Sequence, residues 1–357
     1  MFLGKRFVNF TTKKSMLSTI KASFRVWLVC WLLVLGLVIS RPVFAANEVR
    51  SFADFCLNQD QLTPQAKLTV SLMLEGAGTE DCQEAKEIFS STFELNFSRA
   101  GISDLSPLSS LTNLRVLYLD VNNISDLSPL GSLVNLTSLF LDSNQISDIT
   151  PLQNLQNLSL LSLFNNQVSD ITPLKSLKEL RKLSLYSNQI SDLNALQGLT
   201  NLEFVSISEN QVSDLSPLSN LTKLTFLSLY GNRISNLSAL ESLQNLVYLN
   251  LHSNQIFDLH PLASLQNLKD LNLGNNYISD VLPLESLVNL TELILFGNKV
   301  SNLKGLEFLK TLSYLDLYNN QVTDINLLNS LQNLRMLDLR ENPLNEKQCP
   351  VEGICRF

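Results

Sequence analysis

The sequence LRVLYLDVNNISDLSPLGSLVN, residues 114–135, decides the fold. Its pattern of leucines recurs without insertion or deletion as far as Leu334. One asparagine returns every 22 residues, as Asn122, Asn144, Asn166, Asn188, Asn210, Asn232, Asn254, Asn276, Asn298, Asn320 and Asn342. A fixed period of this length is typical of a solenoid, in which each repeat packs only against its neighbours. The 357 residues therefore fit one elongated body.

The order of leucines within each repeat indicates the kind of solenoid. Each copy contains the core L-x-x-L-x-L-x-x-N, which begins at Leu114 in the quoted copy and is the signature of a leucine-rich repeat. Twelve short parallel strands are predicted, centred 22 residues apart from Leu95 to Leu337 and about 4.8 Å from one another. We predict an α/β solenoid over residues 93–342, a leucine-rich repeat horseshoe with a parallel sheet of about 12 strands on its concave face.

The first 45 residues have the pattern of a secretory signal peptide. The apolar run Val26–Ile39 follows basic residues and precedes Val43-Phe44-Ala45, a small-x-small cleavage site. The run is shorter than the ~20 apolar residues that a membrane-spanning helix needs. It predicts a protein that is secreted, periplasmic or on the cell surface, with no membrane span after the leader is removed. Met16 is an alternative start.

Sequences outside the repeats are predicted to cap the two ends. Residues 46–92 read as helices, with one start at Thr63-Pro64 and another near Thr79. Residues 343–357 are predicted to form a short C-terminal cap. The cysteines outside the leader occur only in these caps, and one pairing scheme avoids bridging the two ends of a long rod. It joins Cys56 to Cys82 and Cys349 to Cys355.

The charge balance opposes two classes of partner. Residues 1–45 carry seven basic side chains and no acidic one, so the rest of the chain carries 19 basic and 33 acidic side chains, a net charge of −14. Nucleic acids and anionic membrane surfaces need a basic field for binding. No nucleic-acid partner is therefore predicted.

Two recurring polar positions have structural interpretations. A buried amide such as that of Asn122 can donate and accept hydrogen bonds at once, and so satisfy the backbone where the chain leaves each strand. Asp126 and its equivalents stand where a short helical turn needs an N-terminal cap. Calcium binding by these carboxylates is the alternative, but one carboxylate per layer supplies too few converging oxygens. No metal or other cofactor is predicted.

Side chains between the inward leucines are predicted to project from the uncovered face of the sheet. The central positions form a small polar floor, made of Ser162, Ser184, Ser206, Ser228, Asn250 and Asn272. Aromatic residues flank it, and exposed aromatics grouped on one face mark interaction sites. Strand propensity alone is the alternative explanation. The candidate ligand-binding residues are Phe164, Tyr186, Phe204, Phe226, Tyr230, Tyr248, His252, Phe296, Tyr314 and Tyr318.

The phrase Ile-Ser-Asp-Leu-Ser-Pro-Leu, residues 124–130, resembles the internalin-type, protein-phosphatase-regulator-like class of bacterial leucine-rich repeats. With the cysteine-bearing helical cap and the tail from Cys349 to Cys355, the chain is also similar to secreted leucine-rich repeat proteins of cyanobacteria. The internalin resemblance implies a concave sheet that grips a protein. The immunoglobulin-like module and wall-anchoring motif of internalins do not occur in this sequence, so host invasion is not implied.

The predicted function is non-catalytic recognition of a protein or peptide through the aromatic concave face. Carbohydrate binding is one alternative, because flat rings stack on sugars while Ser and Asn bond hydroxyl groups. An intracellular phosphatase-regulator-like adaptor is the other, if the leader is not a signal peptide. An enzyme is not expected, since His252 and His260 are the only histidines and no catalytic motif accompanies them. His252 could pair with Ser228 or Asp270 across neighbouring strands.

Overall fold

The computed structural model describes residues 51–346, 348–349 and 353–357. The predicted signal peptide, residues 1–45, lies outside the described residues. One parallel sheet contains thirteen short strands, each paired with the next in sequence. They are β1 (Glu94–Asn96), β2 (Val116–Tyr118), β3 (Ser138–Phe140), β4 (Leu160–Ser162), β5 (Lys182–Ser184), β6 (Phe204–Ser206), β7 (Phe226–Ser228), β8 (Tyr248–Asn250), β9 (Asp270–Asn272), β10 (Glu292–Ile294), β11 (Tyr314–Asp316), β12 (Met336–Asp338) and β13 (Cys355–Arg356). The predicted leucine-rich repeat solenoid is confirmed.

Leucines fill the interior because alternate residues of a strand point to opposite sides. Leu117 and Leu119 are fully buried, and so are their equivalents in the central repeats. Tyr118 lies between them in sequence and stays half-buried on the other side of the sheet. The backbone N–H of Leu119 donates to the carbonyl of Phe140 on the next strand at 2.8 Å. Each layer is thereby bonded to its neighbour.

Short 3-10 helices return the chain along the convex side. They span Ser106–Leu108, Ser128–Ser132, Thr150–Asn154, Thr172–Ser176, Asn194–Leu196, Ser216–Leu218, Ser238–Leu240, His260–Leu262, Leu282–Ser286, Leu306–Phe308 and Asn326–Ser330. The predicted capping carboxylate acts from one residue before the N-cap position, which Leu127 occupies. Asp126 Oδ1 accepts the N–H of Ser128 at 2.8 Å. No helix in the described ranges is both long and apolar enough to cross a bilayer.

The chain leaves each strand through a left-handed turn. Val121 has φ of 57°, and all twelve equivalent positions, from Arg99 to Glu341, have positive φ. A non-glycine residue in this region costs roughly 1 to 2 kcal/mol. Glycine occupies only two of these positions, Gly231 and Gly297, so the interactions of the repeat hold the turn against local strain.

The recurring asparagine supplies those interactions. Asn122 Oδ1 accepts the N–H of Ile102 at 3.1 Å, while its Nδ2 donates to the carbonyls of Phe97 at 2.9 Å and Leu119 at 2.8 Å. The same three bonds recur at all eleven asparagines, as far as Asn342. Each amide therefore joins its own layer to the preceding one.

Between residue 51 and the sheet, the structure contains three α-helices: α1 (Phe52–Leu57), α2 (Pro64–Ala77) and α3 (Cys82–Ser90). The predicted start of α2 is confirmed, since Thr63 Oγ1 accepts the N–H of Ala66 at 3.1 Å. The prediction that Thr79 caps the next helix is wrong. The Asp81 carboxylate caps α3 instead, accepting the N–H groups of Gln83 and Glu84 at 2.8 and 3.0 Å. A charged acceptor at this position makes stronger bonds than a hydroxyl.

Both predicted disulfides are present. Cys56–Cys82 joins α1 to α3, and Cys349–Cys355 closes the C-terminal tail. The N-terminal helices lie over the first repeat, where the Thr69 hydroxyl donates to the Asp104 carbonyl at 2.7 Å. At the other end the tail adds β13, a strand that the repeat pattern did not predict, and the N–H of Leu339 donates to the carbonyl of Arg356 at 2.8 Å.

Candidate functional site

The outer face of the sheet carries its side chains in three columns, because equivalent residues lie side by side on neighbouring strands. The first column lies at strand starts, where Phe204, Phe226 and Tyr248 are in direct register. The middle column lies two residues further along and contains the polar floor. The third column lies just beyond the strand ends. The ten candidate residues belong to the first and third columns; nine are half-buried, and Tyr318 is 37% exposed.

Three rings of the first column form a continuous stack, here called the first ladder: Phe204, Phe226 and Tyr248. Their successive ring centroids are 4.1 and 4.3 Å apart, with interplanar angles of 10° and 3°. Strand spacing of about 4.8 Å imposes such distances. Both faces of Phe226 are covered by its neighbours, so the ring presents its edge to the surroundings. Stacked aromatic pairs contribute roughly 0.5 to 1.5 kcal/mol beyond area burial, which orders the rings in advance.

Rings of the third column form the second ladder, made of Phe164, Tyr186, Tyr230, His252 and Phe296. Phe164 stacks on Tyr186 with centroids 4.8 Å apart. The following centroid distances are 6.3, 5.4 and 5.1 Å. The ladder therefore stays continuous from β4 to β10, although two repeats in this span contribute no ring to it.

Small residues at those two repeats explain the continuity. Gly274 lies beneath Phe296, and a Cβ atom there would be 2.6 Å from the Phe296 Cε1. Without it, Phe296 leans across the gap to His252. Ser208 is the other interruption; it is 2% exposed and its hydroxyl lies 2.7 Å from the Ser228 Oγ. Neither residue fits the common pattern of the repeat, and the sequence analysis did not single them out.

Glu209 links two rings of the second ladder. The Tyr230 hydroxyl donates to its carboxylate, and this hydrogen bond, with burial second, raises the pKa of Tyr230 to about 12. Burial, followed by Glu209, also raises the pKa of Tyr186. Glu209 occupies a left-handed turn with φ of 50°. Between Ser143 and Asn319 it is the only charged residue at these turn positions, a signal that the sequence offered and our prediction did not use.

The polar floor runs between the ladders and keeps free donors. Within the described residues, the hydroxyls of Ser184 and Ser206 have no hydrogen-bond partner in the chain. Asn250 and Asn272 use only their Oδ1 atoms, which accept the N–H groups of His252 and Gly274 at 3.0 Å. Their Nδ2 groups remain available. Neighbouring floor residues lie about 4.8 Å apart, as their strands do.

Carboxylates replace aromatics at the C-terminal part of this face. The first column continues beyond Tyr248 as Asp270 and then Glu292, each in register with the strand before it. Asp316 lies in the middle column. Asp270, Glu292 and Asp316 are here called the acidic end. Two candidate residues, Tyr314 and Tyr318, lie in this region and join neither ladder; the Arg340 guanidinium lies 5.3 Å from the Tyr318 ring centroid.

No member of the acidic end has an ion pair within residues 51–346, 348–349 and 353–357. Burial, and then the adjacent Asp270, raise the pKa of Glu292. Burial likewise raises the pKa of Asp316, although the N–H of Tyr318 and the charges of Arg340 and Arg356 act to lower it. Asp338 differs, because hydrogen bonds from Arg340 outweigh its burial and lower its pKa. Asp270 and Glu292 therefore hold charge that no basic side chain of the described residues pairs with.

Replacing Glu292 with Gln and Asp316 with Asn is expected to stabilise the fold at pH 7. A raised folded-state pKa means that stability is full below the unfolded pKa of about 4 and is lost as pH rises through the folded pKa. The neutral side chains remove that loss. The gain is on the order of 0.5 kcal/mol after solvent screening is discounted, and it should vanish near pH 3. Urea unfolding at both pH values measures it; a destabilised variant at pH 7 would contradict the expectation.

His252 does not have the partners expected from the sequence. Its Nδ1 lies 3.0 Å from the Gly274 carbonyl, and its Nε2 lies 3.0 Å from the Ser253 hydroxyl. His252 therefore pairs with neither Ser228 nor Asp270, the two partners that the sequence allowed. The reason is the turn, which directs the ring along the third column, where a carbonyl can fix its tautomer. Among the described residues, no group of three or more His, Cys, Asp and Glu could hold a metal ion.

Comparisons with known proteins agree on the repeat. The family model described as leucine-rich repeats (two copies) matches residues 94–132, 112–154, 134–176, 156–198, 178–220, 200–242, 222–264 and 288–325. No curated protein sequence matches the chain.

Three solved structures illustrate the range of similar folds. The internalin InlF of Listeria monocytogenes is 36% identical, with 80% of this chain and 84% of that chain covered and a TM-score of 0.76. A leucine-rich repeat protein of Leptospira interrogans is 27% identical, with 73% and 81% covered and a TM-score of 0.54. The ectodomain of the Arabidopsis thaliana receptor kinase GASSHO1/SCHENGEN3, solved in complex with CASPARIAN STRIP INTEGRITY FACTOR 2, is 25% identical, with 71% of this chain but 39% of that chain covered and a TM-score of 0.54.

Proposed function

This chain belongs to the leucine-rich repeat proteins and has internalin-like repeats, and on that premise we propose that it is a non-catalytic recognition protein that binds a protein or peptide on its concave face. The observation that carries the proposal is the polar floor with free donors between two ordered rows of rings. Its Ser184 and Ser206 hydroxyls and its Asn250 and Asn272 amides can bond the main chain of an extended partner. The similar plant receptor ectodomain was solved with a bound partner, which supports such a role.

The ligand class follows from how the rings are presented. Carbohydrate recognition uses exposed flat faces of aromatic rings, whereas the rings of the first ladder cover one another's faces. Phe226 is sandwiched between Phe204 and Tyr248 with nearly parallel planes. The available surface is a row of edges above hydrogen-bond donors, which suits the alternating side chains and amides of a peptide better than a sugar ring.

The proposed setting is outside the cytoplasm, on the cell surface, in the periplasm or in the medium. Two disulfides, Cys56–Cys82 and Cys349–Cys355, fit an oxidising compartment. Catalysis is not part of the proposal, because the one histidine on this face bonds a carbonyl and a hydroxyl rather than a carboxylate. The Ser253 hydroxyl lies within hydrogen-bonding distance of this histidine, but no carboxylate joins the pair to complete a triad in the described part of the chain.

A displayed library of random peptides about ten residues long tests the proposal, since extended peptides of that length span the ~29 Å from β4 to β10. Selected peptides should bind the full chain and lose roughly 1,000-fold in affinity on a variant with Tyr186, Phe204, Phe226 and Tyr230 all changed to Ser, because two lost hot spots of about 2 kcal/mol each cost that much. Calorimetric titration of synthetic peptides measures the loss. A thermal melt checks that the half-exposed rings are dispensable for folding.

The matched control removes aromatics from elsewhere. Phe257 and Tyr277 are 63% and 54% exposed and lie on the flank that follows the asparagine turns. Changing both to Ser removes comparable exposed area while both ladders stay intact, so peptide affinity should not change. If the four-residue variant bound as well as the unchanged chain, the binding site would have to be placed elsewhere. Glycan-array binding in the absence of any peptide ligand would instead favour carbohydrate.

A further inference from the structure

The acidic end bears on the chemistry of the partner. Asp270 and Glu292 face each other from neighbouring strands in direct register. The closest polar contact of Asp270 is the Thr291 hydroxyl, which donates to its Oδ1 at 3.3 Å. Like charges directly opposite each other destabilise a sheet. The fold therefore keeps two adjacent carboxylates uncompensated on the same face that carries both ladders.

The basic side chains on this face do not neutralise Asp270 and Glu292, although Arg340 and Arg356 act on Asp316. Arg340 is bound to Asp338, which is 4% exposed. Lys182 lies on β5, four strands before Asp270 on β9, which is about 19 Å at the usual strand spacing. Glu209 adds a further carboxylate beside Tyr230. The concave face is therefore negatively charged at β9 and β10, and this charge complements a cationic partner.

The acidic end also has a fixed position relative to the first ladder. Asp270 is the direct neighbour of Tyr248, the last ring of that ladder. Asp270 lies two strands from Phe226, and Glu292 lies three strands from it. At the usual strand spacing these separations are about 10 and 14 Å. An extended chain advances about 3.3 Å per residue. In a bound extended peptide, the residue whose side chain packs on Phe226 is therefore three or four residues away from the residue whose side chain contacts these carboxylates.

From the proposed function and this charge pattern, we infer that the partner is an extended basic peptide segment. It places an apolar side chain against the first ladder and a Lys or Arg, three or four residues away, between Asp270 and Glu292. The floor donors bond its main chain. The ladder supplies buried area and the carboxylates supply the selection for positive charge.

The same peptide library tests this inference. Peptides selected on the full chain should be enriched in Lys or Arg three or four residues from an aromatic or large aliphatic residue. A synthetic selected peptide should bind at least tenfold more weakly to the Asp270→Asn/Glu292→Gln variant. Replacing its basic residue with Gln should cost the same factor on the unchanged chain and little on the variant. The control variant Glu241→Gln/Glu285→Gln changes the net charge equally on the convex side, where both residues are exposed, and should retain full affinity.

The outcomes separate the inference from the proposed function. Selected peptides that lack basic residues, or that bind the Asp270→Asn/Glu292→Gln variant normally while still depending on the ladders, would overturn the inference and leave the proposed function standing. Selected peptides that ignore the ladder substitutions, or no selected peptide at all, would overturn both. Equal losses on the convex control would assign the effect to net charge and would also overturn the inference.

Discussion

Changing Asn254 to Ala is expected to cost about 3 kcal/mol of unfolding free energy or more, although the residue is neutral and small. Asn254 Oδ1 accepts the N–H of Ile234 at 3.0 Å, and its Nδ2 donates to the carbonyls of Leu229 and Leu251, both at 3.0 Å. Each buried backbone group left without a partner costs roughly 1 to 3 kcal/mol. The bonds join two layers, so the loss is not confined to one repeat. Urea unfolding measures the total.

The local readout is hydrogen exchange at the Ile234 amide, which should lose its protection together with the loss in global stability. Gln255 is the matched control: it follows Asn254 directly, its side chain is exposed, and Gln255→Ala should change stability by less than about 0.5 kcal/mol. A loss below 1 kcal/mol in Asn254→Ala would mean that water replaces the amide, and the stack would then be a minor contributor.

Removing the Cys56–Cys82 disulfide by changing both residues to Ala is expected to destabilise the N-terminal helices by about 3 kcal/mol, because the bridge closes a 26-residue separation in the unfolded chain. Phe52, which stacks edge-on against Phe89 with centroids 5.0 Å apart, would then be held by packing alone. Local opening would expose Phe97 and the first leucine layer to water. Amide exchange should accelerate there first, while the central repeats retain their protection.

The second disulfide provides the comparison. Cys349–Cys355 spans a separation of only 6 residues, so its replacement by Ala at both positions should cost less, about 2 kcal/mol on the same chain-entropy basis. If the two variants were equally stable, loop closure would not be the source of the stabilisation. If loss of Cys56–Cys82 melted the central repeats simultaneously, the solenoid would be more cooperative than a nearest-neighbour description allows.

Much of this fold could be predicted because its determinants are local and periodic. The spacing of Leu117 and Leu119 predicts the strand, and the recurrence of Asn122 predicts the layer-to-layer bonds. The ends lack that period. The strand at Cys355–Arg356 depends on a tertiary contact with β12, and Asp81 caps α3 in place of Thr79 because its carboxylate accepts two backbone N–H groups; neither follows from propensity.

The candidate surface divides in the same way. Strand alternation predicts which side chains share a face, and the model places the ten candidates there. It does not predict how the rings group. The contact of Phe296 with His252 depends on the missing Cβ of Gly274, and the Tyr230 contact depends on Glu209 in an unfavourable backbone region. Both contacts depend on single residues that differ from their equivalents in the other repeats, and the repeat pattern does not predict the effect of such residues.

The two-residue strand β13 has a consequence for self-association. A stacked solenoid that stopped at β12 would offer a ready template on which another molecule could dock end to end, and the process could continue into filaments. Cys355–Arg356 occupies those bonding groups, and the disulfide to Cys349 holds the segment in place. The outer edge of β12 is therefore paired within the molecule and does not present its main-chain groups to a second copy.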